Sequence, residues 1–199
     1  EAVCCGPGPC EIIAGPGSGK TLVLTERILY LLDHYNLKPS QILVLTFSRA
    51  AAAEMKERFI KRAGENSRSV CFGTFHSAFF HILRESTGKD YSILGQAQKE
   101  RLISHLIGNY YPDENDRPQI EEIEKILRMA PADIGDVKAA SIKRDYRSFL
   151  QENGYLDFDD MIIKCRRFLL SDPGSLRLWR SRFRAILVDE FQDINREQY

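Results

Sequence analysis

Ala14-Gly15-Pro16-Gly17-Ser18-Gly19-Lys20-Thr21 fits the phosphate-loop pattern G-x4-G-K-[ST], with Ala14 in place of the first glycine. The glycines let backbone N–H groups turn toward one anion without side chains in the way. Lys20 would reach the β- and γ-phosphates of a nucleotide, and the Thr21 hydroxyl would bind Mg²⁺. Far downstream, Ile186-Leu187-Val188 runs straight into Asp189-Glu190. A carboxylate at the end of a buried apolar strand is costly unless a cation meets it. For Asp189 that cation would be Mg²⁺, which leaves Glu190 placed as general base for an attacking water. Alone, each stretch has a plainer reading, a glycine-rich turn or a strand end entering a loop. Together they favour nucleotide chemistry.

The flanking elements suit that task. Glu11–Ala14 is a short apolar run that reads as a strand entering the loop, and Leu22, Leu24, Ile28, Leu31 and Leu32 then recur near the spacing of a helix. Gln41–Phe47 reads as a strand buried on both faces. Ser48 suits the N-cap of an Ala-rich helix over Arg49–Arg62. Ser69–Phe75 reads as a further strand, and His76–Thr87 as a helix stopped by Gly88. From Lys89 to Asn153 no strand-like run occurs; helices are expected over Gln96–Ile107, Gln119–Ala130 and Asp136–Glu152. Asp157–Leu170 is an amphipathic helix, Pro173-Gly174 a turn, and Ala185–Val188 a strand. Strands alternating with helices predict an α/β fold with a parallel sheet. The expected division is a nucleotide-binding domain over 1–88 plus 154–199, and an all-helical insertion over 89–153.

With 199 residues, 43% of them hydrophobic and 28% charged, the chain can bury a substantial core. Its 28 basic and 28 acidic residues cancel, so any contact with nucleic acid must come from a local patch. Cys4, Cys5 and Cys10 lack the paired hooks of a zinc site, and reduced cysteines in the cytoplasm are expected. No stretch approaches the ~20 apolar residues of a membrane span. The start at Glu1 and the stop just past Asp189-Glu190 read as those of a fragment.

The segments AGPGSGKT, LTFSRAAAAEM, GTFHS, DFDD and VDEFQD, in this order, resemble the UvrD/Rep-type superfamily-one DNA helicases. The resemblance implies a RecA-like P-loop motor domain, interrupted by a helical domain, that uses ATP and Mg²⁺. It further implies translocation on single-stranded DNA, 3′ to 5′, with unwinding of duplex DNA. Thr46, Phe47, Thr74 and His76 match motifs that contact single-stranded DNA. Gln192 matches a residue that senses the γ-phosphate or its water. Read without the family, Phe47 suits a core position and His76 a helix cap. The acids Asp157, Asp159 and Asp160 suit the favourable dipole at a helix start. Lys138, Lys143, Arg144, Tyr146 and Arg147 suit a solvated helix face better than a DNA path. Leu22 replaces an arginine that stacks on adenine in many relatives, and Arg49-Ala50 replaces the usual Asn-Lys. The resemblance places the arginines that complete the ATP site on a second motor domain, so the 199-residue chain alone is expected not to hydrolyse ATP. Two alternatives stay open: the motor part of an AddA/RecB-type helicase–nuclease, and a P-loop DNA-binding protein without hydrolysis.

Overall fold

The computed structural model describes residues 1–199 except Pro7, Pro16, Glu65, Asn66, Arg196 and Glu197, together with the side chain of Pro131. The chain divides into two compact units, one of residues 1–82 with 165–199, the other of residues 83–164. The second is wider than the 89–153 block expected from sequence.

The first unit is built on three parallel strands in the order β2-β1-β5: Cys71–Thr74, Ile42–Thr46 and Ala185–Val188. All five residues of β1 are buried, as its unbroken apolar run requires. Helix α1 (Lys20–His34) and helix α2 (Arg49–Ala63) cover one face, where Ile28, Leu31, Met55 and Phe59 pack with Ile42, Val44 and Val70. On the other face, Leu43 and Leu45 meet Phe75, which opens helix α3 (Phe75–Thr87). Ser48 caps α2 by accepting a hydrogen bond from the Ala51 N–H at 3.0 Å.

Among the described residues, Glu11–Gly15 carry no strand or helix, contrary to the strand expected there. Ile12 and Ile13 are 44% and 92% exposed. An apolar run becomes a strand only when a neighbour pairs its backbone, and among the described residues no strand pairs with this one.

The second unit packs helices α4 (Gln96–Tyr110), α5 (Ile120–Arg128) and α6 (Val137–Glu152) around Ile103, Ile123, Ile142, Tyr146 and Leu150. It is not purely helical. Strand β3 (Ser92–Ile93) pairs in parallel with β4 (Tyr155–Leu156), and β4 leads into helix α7 (Phe158–Ser171). Two-residue strands leave no periodicity to read.

The DFDD carboxylates do more than oppose a helix dipole. Asp157, 4% exposed, takes the Lys99 ammonium at 3.1 Å and the Tyr146 hydroxyl at 2.8 Å. Asp159 takes Lys99 at 3.3 Å and Arg128 at 3.0 Å. Of the expected solvated face on α6, Lys143 is instead buried and donates to the carbonyls of Ile126 and Met129 at the end of α5.

Candidate nucleotide-binding site

The loop before α1 turns through Gly17 and Gly19, with φ of 74° and 87°, a region that disfavours any residue with a Cβ. Gly19 is the N-cap of α1, and its carbonyl accepts the Val23 N–H at 3.0 Å. Ser18 closes the turn by donating its hydroxyl to the Gly15 carbonyl at 2.6 Å. Lys20 and Thr21 therefore open a fifteen-residue helix, where free N–H groups and the helix dipole favour an anion. Pro16 lies outside the described residues. Ala14 and Gly15 enter the turn, and Leu22 is 56% exposed one residue past Thr21.

Strand β5 delivers the carboxylates. The Asp189 N–H extends the ladder to the Leu45 carbonyl at 2.9 Å, and the chain then turns sharply at Glu190, which has φ 52° and ψ 51°. Such a conformation is uncommon outside glycine, asparagine and aspartate. It presents the Glu190 carboxylate to the Lys20 ammonium, at 3.0 and 3.1 Å from its two oxygens. The Gln192 side-chain amide donates to the same carboxylate at 2.7 Å. Lys20 and Glu190 are 170 positions apart in sequence, so only the fold joins them.

The two neighbouring acids are driven in opposite directions. Burial, and then the negative charge of Glu190, push the Asp189 carboxyl above its ordinary range. The hydrogen bonds from Gln192 and then Lys20 hold Glu190 below its own. Asp189 has no ion pair among the described residues, because the nearby ammonium is bonded to Glu190. A raised carboxyl without a bonded cation, at the end of a strand, suits a divalent metal. Thr21 and Asp189 fit that group by donor chemistry.

The candidate DNA contacts lie on the same strand ends. Register pairs Thr46 with Thr74 and Leu45 with Val188, so Thr46, Thr74 and Asp189 end three adjacent strands. Ligands of parallel α/β sheets bind at such carboxyl ends. The two hydroxyls, however, serve local structure. Thr46, 1% exposed, donates to the Ser48 carbonyl at 3.0 Å. Thr74 exchanges bonds with Ser77: its N–H donates to the Ser77 hydroxyl at 2.9 Å, and its own hydroxyl accepts the Ser77 N–H at 3.2 Å. Phe47 is 45% exposed, with its ring centroid 6.0 Å from that of Phe75. His76 is half-buried on the first turn of α3.

Sequence reasoning did not single out Ser77 or Phe75. The Thr-x-x-Ser spacing at the head of α3 is the signal that would have found Ser77. A Cβ on Gly73 would stand 2.7 Å from the Ser77 hydroxyl, so Gly73→Ala must rotate that side chain away and break the cap. The expected cost is about 0.5–2 kcal/mol, read as a lower urea midpoint at unchanged slope. An unshifted midpoint would show that the reciprocal cap contributes nothing.

A parallel sheet whose strand ends face a glycine loop, a helix-opening lysine and a paired carboxylate defines a P-loop nucleotide-binding domain. All of the chain, residues 1–199, matches the family model described as UvrD/REP helicase N-terminal domain, and the chain belongs to that family. It is 34% identical over 217 residues to the ATP-dependent DNA helicase PcrA of Staphylococcus aureus (strain Mu50), covering 100% of this chain and 30% of that protein. With PcrA of Staphylococcus epidermidis the identity is 33% over 217 residues, again 100% of this chain and 30% of that protein. With YjcD of Bacillus subtilis it is 33% over 209 residues, 96% of this chain and 28% of that protein. The chain thus spans less than a third of the length of these relatives. Among the described residues no helix is long and apolar enough to cross a membrane.

Proposed function

We propose that this chain forms the ATP-binding part of a DNA-translocating motor, which moves 3′ to 5′ on single-stranded DNA in the cytoplasm and unwinds duplex. Its main support is the Lys20–Glu190–Gln192 cluster, which joins the phosphate loop to the carboxylate pair through contacts of 2.7 to 3.1 Å.

The loop N–H groups and Lys20 hold the triphosphate, with Lys20 against its β- and γ-phosphates. Thr21 and Asp189 would hold Mg²⁺, which neutralises phosphate charge when bound. Glu190 takes a proton from water as the water oxygen attacks the γ-phosphorus; the bond to the bridging oxygen breaks and ADP leaves. Gln192, bonded to Glu190, orients that carboxylate and the water beside it. Phosphate and Glu190 compete for one ammonium, so Lys20 exchanges partners during the cycle.

Phe47, exposed at the carboxyl end of β1, offers a ring face to a base, while Thr46, Thr74 and His76 shape the strand ends around it. Steady-state ATP hydrolysis by the intact protein, with and without single-stranded DNA, tests the motor reading. DNA-stimulated turnover is expected. Tight ATP binding with no turnover would assign the protein to P-loop binders that do not hydrolyse. Phe47→Ala should weaken single-stranded DNA binding by about 1–3 kcal/mol, the usual value of one aromatic–base stack, and leave ATP affinity unchanged. Unchanged affinity for DNA would return Phe47 to a purely packing role.

A further inference from the structure

The chain is neutral as a whole, but its charge is not evenly spread. Residues 166–184 hold six arginines, at 166, 167, 177, 180, 182 and 184, against one acid, Asp172. Most of this segment is helix α8 (Pro173–Arg182), which leads directly into β5. Trp179, 4% exposed, anchors α8 inward, with its ring 5.7 Å from those of His81 and Phe183. The Arg182 guanidinium lies over that indole at 4.8 Å. The Arg184 N–H donates to the Gln41 carbonyl at 2.9 Å, one residue before β1 begins.

With Trp179 inward, Arg177 and Arg180 share the outer face of α8 at i, i+3 spacing. Arg177, Arg180 and Arg184 are all exposed, and none is ion-paired among the described residues. Asp172, the one acid of the segment, feels the Arg177 charge but forms no ion pair with it, and its oxygens accept from the Gly174 and Ser175 N–H groups and the Ser175 hydroxyl. Complementing the helix dipole accounts for Arg180 and Arg182 in the last turn. It does not account for Arg177, a turn earlier, or for Arg184 beyond the helix. Burial raises the Cys71 thiol at the start of β2, and the charges of Arg182 and Lys56 oppose that rise without overcoming it.

This surface adjoins the amino ends of β5, β1 and β2, whereas Asp189, Thr46 and Thr74 stand at their carboxyl ends. We propose that the outer face of α8, through Arg177, Arg180 and Arg184, is a second contact for a nucleic-acid phosphate backbone, at the end of the sheet opposite the nucleotide site. Fixed guanidinium charges without carboxylate partners suit a regular line of phosphates and read no sequence. The proposal rests on the reading that the protein works on DNA. Leu178, 59% exposed between these arginines, is what an acidic protein partner would use instead.

The test measures fluorescence anisotropy of labelled single-stranded and duplex DNA over a salt series, with wild type, a triple Arg177→Gln, Arg180→Gln, Arg184→Gln variant, a triple Arg-to-Lys variant and Phe47→Ala. Melting curves and nucleotide binding confirm that each variant is folded. The Gln variant should flatten the log K against log salt slope for duplex by about 2–3, one unit per lost phosphate contact, and the Lys variant should keep it. Phe47→Ala should leave that slope alone and weaken only single-strand binding. An unchanged slope in the Gln variant would overturn the proposal, and so would a Lys variant that falls as far as Gln. So would a DNA-indifferent surface whose arginines bind only an acidic, leucine-bearing peptide. If wild type binds no DNA in any arm, the motor reading fails as well; if only the Gln variant matches wild type, this proposal fails alone.

Discussion

Replacing Lys20 by alanine in the intact protein should weaken Mg-ATP binding by about 10- to 100-fold, because a hydrogen-bonded charge on phosphate contributes about 1.5–3 kcal/mol. Replacing Glu190 by glutamine should leave Mg-ATP bound while turnover drops by about 10²–10⁴-fold, the usual value of a positioned general base. The ion pair sharpens the contrast. Lys20 is bonded to both Glu190 oxygens, at 3.0 and 3.1 Å, so phosphates must draw it away from a carboxylate. A neutral glutamine holds an ammonium less tightly, and ATP affinity should stay level or rise. Titration with a fluorescent nucleotide, beside single-turnover hydrolysis, separates the two effects. A Glu190→Gln protein that lost ATP affinity as severely as Lys20→Ala would show that Glu190 builds the binding site and is not its base.

The second large effect belongs to the unit of residues 83–164. Lys99 and Asp157 have side chains only 6% exposed, and Tyr146 completes the cluster. Burial alone would depress the Lys99 ammonium, yet Asp157 and then Asp159 overcome that and raise it, so the lysine stays charged. Lys99→Met leaves a buried carboxylate without its cation, which should cost about 3–5 kcal/mol. Adding Asp157→Asn to Lys99→Met removes the stranded charge and should recover part of the loss. Urea unfolding of the excised 83–164 unit, followed by circular dichroism, gives the measurement; a Lys99→Met unit as stable as wild type would sink the idea. The same cluster sets the proposed boundaries. An excised 83–164 fragment should fold, whereas 89–153 should not, because it leaves Lys99 and Tyr146 buried without Asp157.

Much of the candidate site was legible in the linear sequence because its chemistry is local. A glycine loop, its lysine and its threonine are neighbours in the chain, so residue type and spacing alone mark Ala14–Thr21 as a candidate phosphate site. Asp189 and Glu190 follow an apolar run just as directly, and β1, whose five residues are all buried, needs no partner to be recognised as a central strand. Pairing at a distance was not legible. Nothing in the spacing showed that Lys20 would bond Glu190, that Asp157 would bury against Lys99, or that Ser92–Ile93 would find Tyr155–Leu156. Each contact is chosen by which surfaces the packed helices leave facing one another, and a buried charge takes whatever partner the fold brings within about 3 Å. The failure at Glu11–Ala14 has the same cause. Apolar residues declare that a segment avoids water, but a strand is a property of two segments, and only the tertiary structure decides whether the second is there.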